Sequence, residues 1–267
     1  MLRGRSLLPD AASSGPRVVW VFIGGGIGAG KSTLCRALEA RMSTEHIARV
    51  FFLREYVETS EGLAMLQRFL THAITPYEFQ AYILETYSKA AATIRALAAH
   101  DPALPLVVLV ERHPMDSVTV FATHALEMGA ISPSEHRALC EQCRRIPVIP
   151  QTTPSPTNSI VYYLDAATDY ASIEADALDA IVGLLGGRPR DAVLYITLLF
   201  TAAPTSRAVQ RAHLAARARE GEDSYRAEYL DWINRRYTSV YAPHSTAVQE
   251  GRLPALLELE RDAATGQ

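Results

Sequence analysis

The sequence predicts an α/β protein: a parallel sheet of about five strands flanked by helices, formed by one domain over residues 16–267. Three observations carry that expectation. Short apolar runs of strand length recur along the 267-residue chain, at Val18–Ile23, Val50–Leu53, Leu104–Val110, Ser159–Leu164 and Ala192–Phe200. Longer stretches with apolar residues three and four apart lie between them, which is the period of a helix. A glycine-dense loop joins the first apolar run to the first helical stretch, and a strand, a tight loop and a helix in that order open many parallel sheets.

Composition narrows the partners. The charged fraction is 21% and the net charge -3, with neither sign gathered into a long block. No nucleic-acid polymer and no membrane surface is expected, and a small-molecule substrate is the default. The cysteines Cys35, Cys140 and Cys143 form neither a disulfide framework nor the two pairs of a zinc site. No apolar run reaches the length of a membrane span, and Met1–Gly15 lacks the apolar centre of a signal peptide. The expectation is an intracellular, cytoplasmic protein with a mobile N-terminal tail over residues 1–15.

Taken in order, Val18–Ile23 is followed by Gly24, Gly25, Gly26, Ile27, Gly28, Ala29, Gly30, Lys31, Ser32 and Thr33. From Gly25 this satisfies G-x-x-x-x-G-K-[ST], the loop that opens the P-loop NTPase fold. Glycines let backbone N–H groups curl round an anion, and the helix that follows adds its positive end. Lys31 is placed to reach the β and γ phosphates of ATP, and Ser32 to put its hydroxyl on Mg²⁺.

The second strand delivers Glu55 and Glu58 at its downstream end, where an open parallel sheet holds its ligands. Either carboxylate stands where it could take a proton from a hydroxyl. Leu63–Ala99 has a helical pattern, with Thr75 as N-cap and Pro76 in a first turn. Gln80, early in that helix, carries the acceptor and paired donors that read a nucleobase edge. Strand three ends in Glu111, Arg112, His113 and Pro114, an acid and a base whose natural partners are Mg²⁺ and phosphate.

Helices are then expected over about Met115–Met128 and Ser134–Arg145, a loop over Pro147–Ser159, and a helix over Tyr170–Leu185 stopped by Gly186 and Gly187. Which of the two late strands leads into the next element in space stays open. After Pro204 come Arg207, Arg211, His213, Arg217 and Arg219. They form either a solvated basic face or a helix that closes over a triphosphate. Gly221 ends that helix and Glu222 follows. The stripe Tyr225, Tyr229, Trp232, Ile233, Tyr237, Tyr241 reads as a core-facing helix.

In this order the stations resemble the deoxyribonucleoside kinase family, including herpesvirus-type thymidine kinases. The resemblance covers roughly Val18–Tyr241. It rests on the phosphate loop at 25–33, Glu55-Tyr56-Val57, Gln80, Glu111-Arg112-His113-Pro114, and Arg217-Ala218-Arg219-Glu220-Gly221-Glu222. It implies an ATP-dependent deoxyribonucleoside 5′-kinase acting on thymidine or another pyrimidine deoxynucleoside. Glu55 is then the base that activates the 5′-hydroxyl, Gln80 the partner of the nucleobase, and Arg112, Arg217 and Arg219 the phosphate ligands. Glu222 would hold the sugar 3′-hydroxyl, in a lid at about 206–222, and dimers are common in the family.

The chain departs from the pattern at four places. Tyr56 replaces a proline, Ser60 a tryptophan, Phe69 a sugar-binding tyrosine, and His213 a lid arginine. Two other functions share the loop: a nucleoside monophosphate kinase of thymidylate type, and a P-loop NTPase serving as a regulatory binding module.

Overall fold

The structure is a computed structural model that describes residues 18–100, 104–146, 149, 158–186, 191–201, 203–217 and 225–244. The tail at 1–15, the lid residues Arg219, Gly221 and Glu222, and most of the 147–159 loop lie outside the described residues.

Five strands, β1 (Val18–Gly25), β2 (Arg49–Leu53), β3 (Leu106–Glu111), β4 (Ser159–Leu164) and β5 (Asp191–Phe200), form one sheet in the order β2-β3-β1-β5-β4. Every neighbouring pair is parallel. The near-continuous apolar runs are explained by position, because all of β1 and all of β3 are buried. Covered on both faces, such strands have no side that favours polar residues.

Alternate residues feed two cores. Trp20, Phe22, Val108 and Val110 point to one face, where they meet α3 (Pro76–His100) and α9 (Ala227–Tyr241). Val19, Val21, Ile23 and Leu109 point to the other, where they meet α1 (Lys31–Thr44) and α7 (Tyr170–Gly186). The chain therefore leaves β1 toward one face through α1 and leaves β3 toward the other. That divergence opens a crevice above the carboxyl ends of adjacent strands, the position where open α/β sheets bind ligands.

The long helical pattern at Leu63–Ala99 divides in two. α2 (Ser60–Leu70) ends at Thr71, and His72 turns the chain at φ 58. α3 then starts from a capping box in which Glu78 N–H donates to Thr75 Oγ1 at 3.1 Å and Thr75 N–H donates to Glu78 Oε2 at 2.8 Å. The expected helix after strand three is also not uniform. It comprises α4 (Pro114–Asp116), a π-helical turn (Ser117–Ala122) and α5 (Thr123–Glu127). Carbonyls in the wider turn find other donors: Thr123 Oγ1 donates to Val118 at 3.0 Å and Arg236 Nε to Thr119 at 2.8 Å.

α6 (Pro133–Arg144) follows, opened by a capping box between Ser132 and Glu135. β3 starts at Leu106, leaving Leu104 half-exposed outside the sheet. The order of the late strands is resolved, since β5 pairs with β1 and leads into α8 (Pro204–Arg217) while β4 lies at the edge. Among the described residues no helix is long and apolar enough to cross a membrane.

Candidate active site

The loop after β1 is shaped for an anion by backbone geometry. Gly30, at φ 81 and ψ 14, is the left-handed N-cap of α1 and no side chain caps the helix. The first-turn N–H groups therefore face out of the helix end with its positive dipole behind them. At Gly25 the φ is 130, and a Cβ would sit 2.1 Å from the Leu198 carbonyl oxygen of β5, so only glycine fits.

The outer side of the loop is held by α8 and α9. Gln210 Nε2 donates to Ile27 O at 2.7 Å, His213 Nδ1 donates to Gly28 O at 2.8 Å, and Asn234 Nδ2 donates to Gln210 Oε1 at 2.8 Å. These bonds fix the cradle without occupying its interior.

Lys31 is buried and donates to Gly26 O at 2.9 Å. Its ammonium is held down to about 7, first by burial and then by Arg112. A phosphate arriving beside it would reverse that balance, since an anion stabilises the charged form. Ser32 Oγ donates to Glu111 Oε1 at 3.0 Å, while Glu111 Oε2 is buried with no hydrogen-bond partner. Burial, and then Glu55, pushes the Glu111 carboxyl above its ordinary range.

Arg112 stands next in β3's line with φ 69, a strained conformation for arginine. Contacts from six residues hold it. Its N–H donates to Ile23 O at 3.0 Å, and the one hydroxyl proton of Tyr87 on α3 is shared between the carbonyls of Glu111 and Arg112, each 3.2 Å away. Its side chain donates to Gly25 O at 2.9 Å through Nη1 and to Glu55 Oε1 at 3.3 Å through Nε. The same Nη1 meets Tyr237 Oη at 2.5 Å, and the guanidinium lies 5.0 Å from the centre of the Phe121 ring.

The two glutamates after β2 are used differently. Glu55 pairs with Arg112, both side chains being 12% exposed, whereas Glu58, 15% exposed, pairs with Arg36 and Arg54, which are more than half exposed. Gln80 is buried at 6% exposure and its Oε1 has no hydrogen-bond partner. It sits beside Phe79, which stacks on Phe69 at 4.4 Å and meets Tyr56 edge-on at 5.5 Å.

Lys31, Ser32, Glu55, Glu111 and Arg112 are thus brought together, and α3 ties Gln80 to the same end of the sheet. The basic run on α8 is not a single phosphate-facing surface. Arg207 pairs with Asp231 of α9 at 3.0 Å, and His213 serves the loop backbone. Arg217 closes α8 and its charge reaches Lys31; Arg219 and Glu222 lie outside the described residues.

A family model, dNK: Deoxynucleoside kinase, matches residues 21–172, more than half of the chain. The chain belongs to the deoxynucleoside kinase family. A search of curated proteins returns no significant match. Among solved structures, the chain is similar to deoxyadenosine kinase from M.mycoides with bound dATP, at 14% identity and a TM-score of 0.49, over 92% of this chain and 97% of that one.

As a deoxynucleoside kinase the protein is a phosphotransferase acting on a nucleoside hydroxyl. Three residues linked to Arg112 were not singled out as site residues from the sequence: Tyr87 and Tyr237, which bond to it, and Asp116, whose Oδ2 accepts from the Tyr237 hydroxyl. Tyr87 and Tyr237 fall on apolar helix stripes, where an aromatic reads as packing. Asp116 did carry a signal, as a lone acid two residues after Pro114 in the otherwise uncharged stretch Met115–Phe121.

Proposed function

We propose that the protein transfers the γ-phosphoryl group of ATP to the 5′-hydroxyl of a deoxyribonucleoside, with thymidine or another pyrimidine deoxynucleoside as preferred acceptor. The observation that carries the acceptor side is the buried, unpartnered Oε1 of Gln80. A buried acceptor left unpaired costs on the order of 1–3 kcal/mol, and a base N–H would satisfy it. Gln80 and Tyr87 lie seven residues apart on α3, hence on one helix face and about 10 Å apart along its axis. Tyr87 touches the Arg112 backbone, so base recognition at Gln80 and phosphoryl chemistry at Arg112 are separated by a span that a base and its sugar can fill. The thymidine preference is supported by His113 and Pro114 following Arg112, the resemblance noted above.

In this reading Glu55 accepts the proton of the 5′-hydroxyl as the oxygen attacks the γ-phosphorus and the ADP oxygen leaves. Lys31, Arg112, Arg217 and Arg219 spread the charge of the migrating group, and Glu222 holds the sugar. Most of the rate then comes from positioning and fixed electrostatics. Among the described residues no three His, Cys, Asp or Glu side chains group as a metal cage. The buried Glu111 Oε2 and the Ser32 hydroxyl beside it fit a Mg²⁺ ion that takes its other ligands from phosphate and water. When bound there, such an ion would neutralise charge on the β and γ phosphates.

The test is a panel of the four deoxyribonucleosides, with thymidylate as a fifth acceptor, incubated with ATP and Mg²⁺ and read by product formation. Thymidine monophosphate should form fastest. A preference for a purine deoxynucleoside would overturn the base assignment, and faster use of thymidylate would overturn the acceptor assignment. Gln80→Ala should raise KM for the nucleoside roughly tenfold or more while leaving KM for ATP unchanged.

A further inference from the structure

Asp116 is 0% exposed, yet no step of the proposed transfer uses it. A buried carboxylate is costly unless it is hydrogen-bonded. This one is bonded by hydroxyls on both oxygens: Tyr237 OH donates to Oδ2 at 3.1 Å, and Tyr241 OH donates to Oδ1. The Tyr237 oxygen makes a further contact of its own. Tyr237 Oη also receives Arg112 Nη1 at 2.5 Å.

A phenol has a single proton. Once Asp116 takes it, the oxygen can meet Arg112 only with a lone pair, so the carboxylate sets the polarity of the contact that holds the guanidinium. Gly24 completes the arrangement, because a Cβ there would lie 3.7 Å from Asp116 Oδ2 and 3.8 Å from the Tyr237 ring. The strand that enters the phosphate loop therefore packs directly over the acid and the phenol. Burial pushes the Asp116 carboxyl upward, and Tyr241, Arg112 and Tyr237 oppose that push.

We propose that Asp116 and Tyr237 are positioning residues of the kinase: acting through a directed hydroxyl, they hold the Arg112 guanidinium where the migrating phosphoryl group needs it. This rests on the role given to Arg112 above. Neither residue touches substrate in this account, and their effect passes wholly through the arginine.

A double-mutant cycle tests it. Tyr237→Phe removes only the oxygen and keeps the ring between Tyr241 and Phe121, so folding should survive; Asp116→Asn is the companion. Each should lower kcat roughly ten- to a hundredfold, as small displacements of a charge-stabilising group do, with KM for the nucleoside changed by less than about threefold. In an Arg112→Lys background, Tyr237→Phe should cost little more. The same loss in both backgrounds, or a lowered melting temperature with kcat intact, would show that the network only supports the fold. Should wild type phosphorylate no nucleoside, the function reading fails by itself. The cycle is then read on ATP affinity, where non-additivity is again expected and additivity overturns the proposal.

Discussion

Two regions of this molecule carry conspicuous cations, and they use them in opposite ways. At the end of β3 a single arginine, Arg112, gathers Glu55, Tyr237, the Gly25 carbonyl and the Phe121 ring around one buried guanidinium. On α8 the cations are more numerous and more dispersed. Arg207 is spent on Asp231, His213 on the Gly28 carbonyl, and Arg211 is exposed. The difference shows that placement at the carboxyl end of a buried strand says more about chemistry than local density of charge. Burial is what gives a charge its strength, because water screens exposed pairs to a fraction of that value.

The contrast can be broken at several levels of effect. The largest belongs to Lys31. Lys31→Ala should cost kcat about a thousandfold, measured as initial rates at saturating nucleoside, with the far-ultraviolet circular dichroism spectrum unchanged. Glu55→Gln should come next, at roughly a hundredfold or more in kcat, because it removes the proposed base and one partner of Arg112. Glu58→Gln should leave kcat within about twofold and cost at most ~1 kcal/mol of stability, since its partners Arg36 and Arg54 are more than half exposed. Equal losses from the two glutamates would erase the distinction drawn between them.

A smaller effect should follow pH. The Lys31 ammonium lies at about 7 in the nucleotide-free protein, so above that pH it is mostly neutral and must regain its proton when a triphosphate binds. Binding should therefore weaken as pH rises above about 7 and take up protons at pH 8. Calorimetry in buffers of different ionisation enthalpy measures this, and Lys31→Arg, which stays charged, should abolish the uptake.

Much of this is legible in the sequence. Strand–loop–helix order around Gly25–Ser32 is a local property, so β1, the cradle and α1 followed directly from residue types. Thr75 and Pro76 marked a helix start for the same reason, and α3 begins there. What escaped were features decided by contacts distant in sequence. The pairing of Glu55 with Arg112 joins residues 57 apart in the chain, and the use of Arg207 depends on Asp231. In the π turn after β3 the Thr119 carbonyl accepts from Arg236, far along in α9. Tyr237 read as packing, and it does pack; its hydroxyl also meets Arg112 and Asp116, which lie 125 and 121 residues away in sequence.

The most direct test is to measure deoxynucleoside monophosphate formation by Arg112→Ala and Arg207→Ala side by side, at saturating ATP and nucleoside. Arg112→Ala should lose about a thousandfold in kcat, and Arg207→Ala should stay within about twofold of wild type. Comparable losses in the two variants, or a larger loss at Arg207, would contradict the assignment of the transfer chemistry to the end of β3.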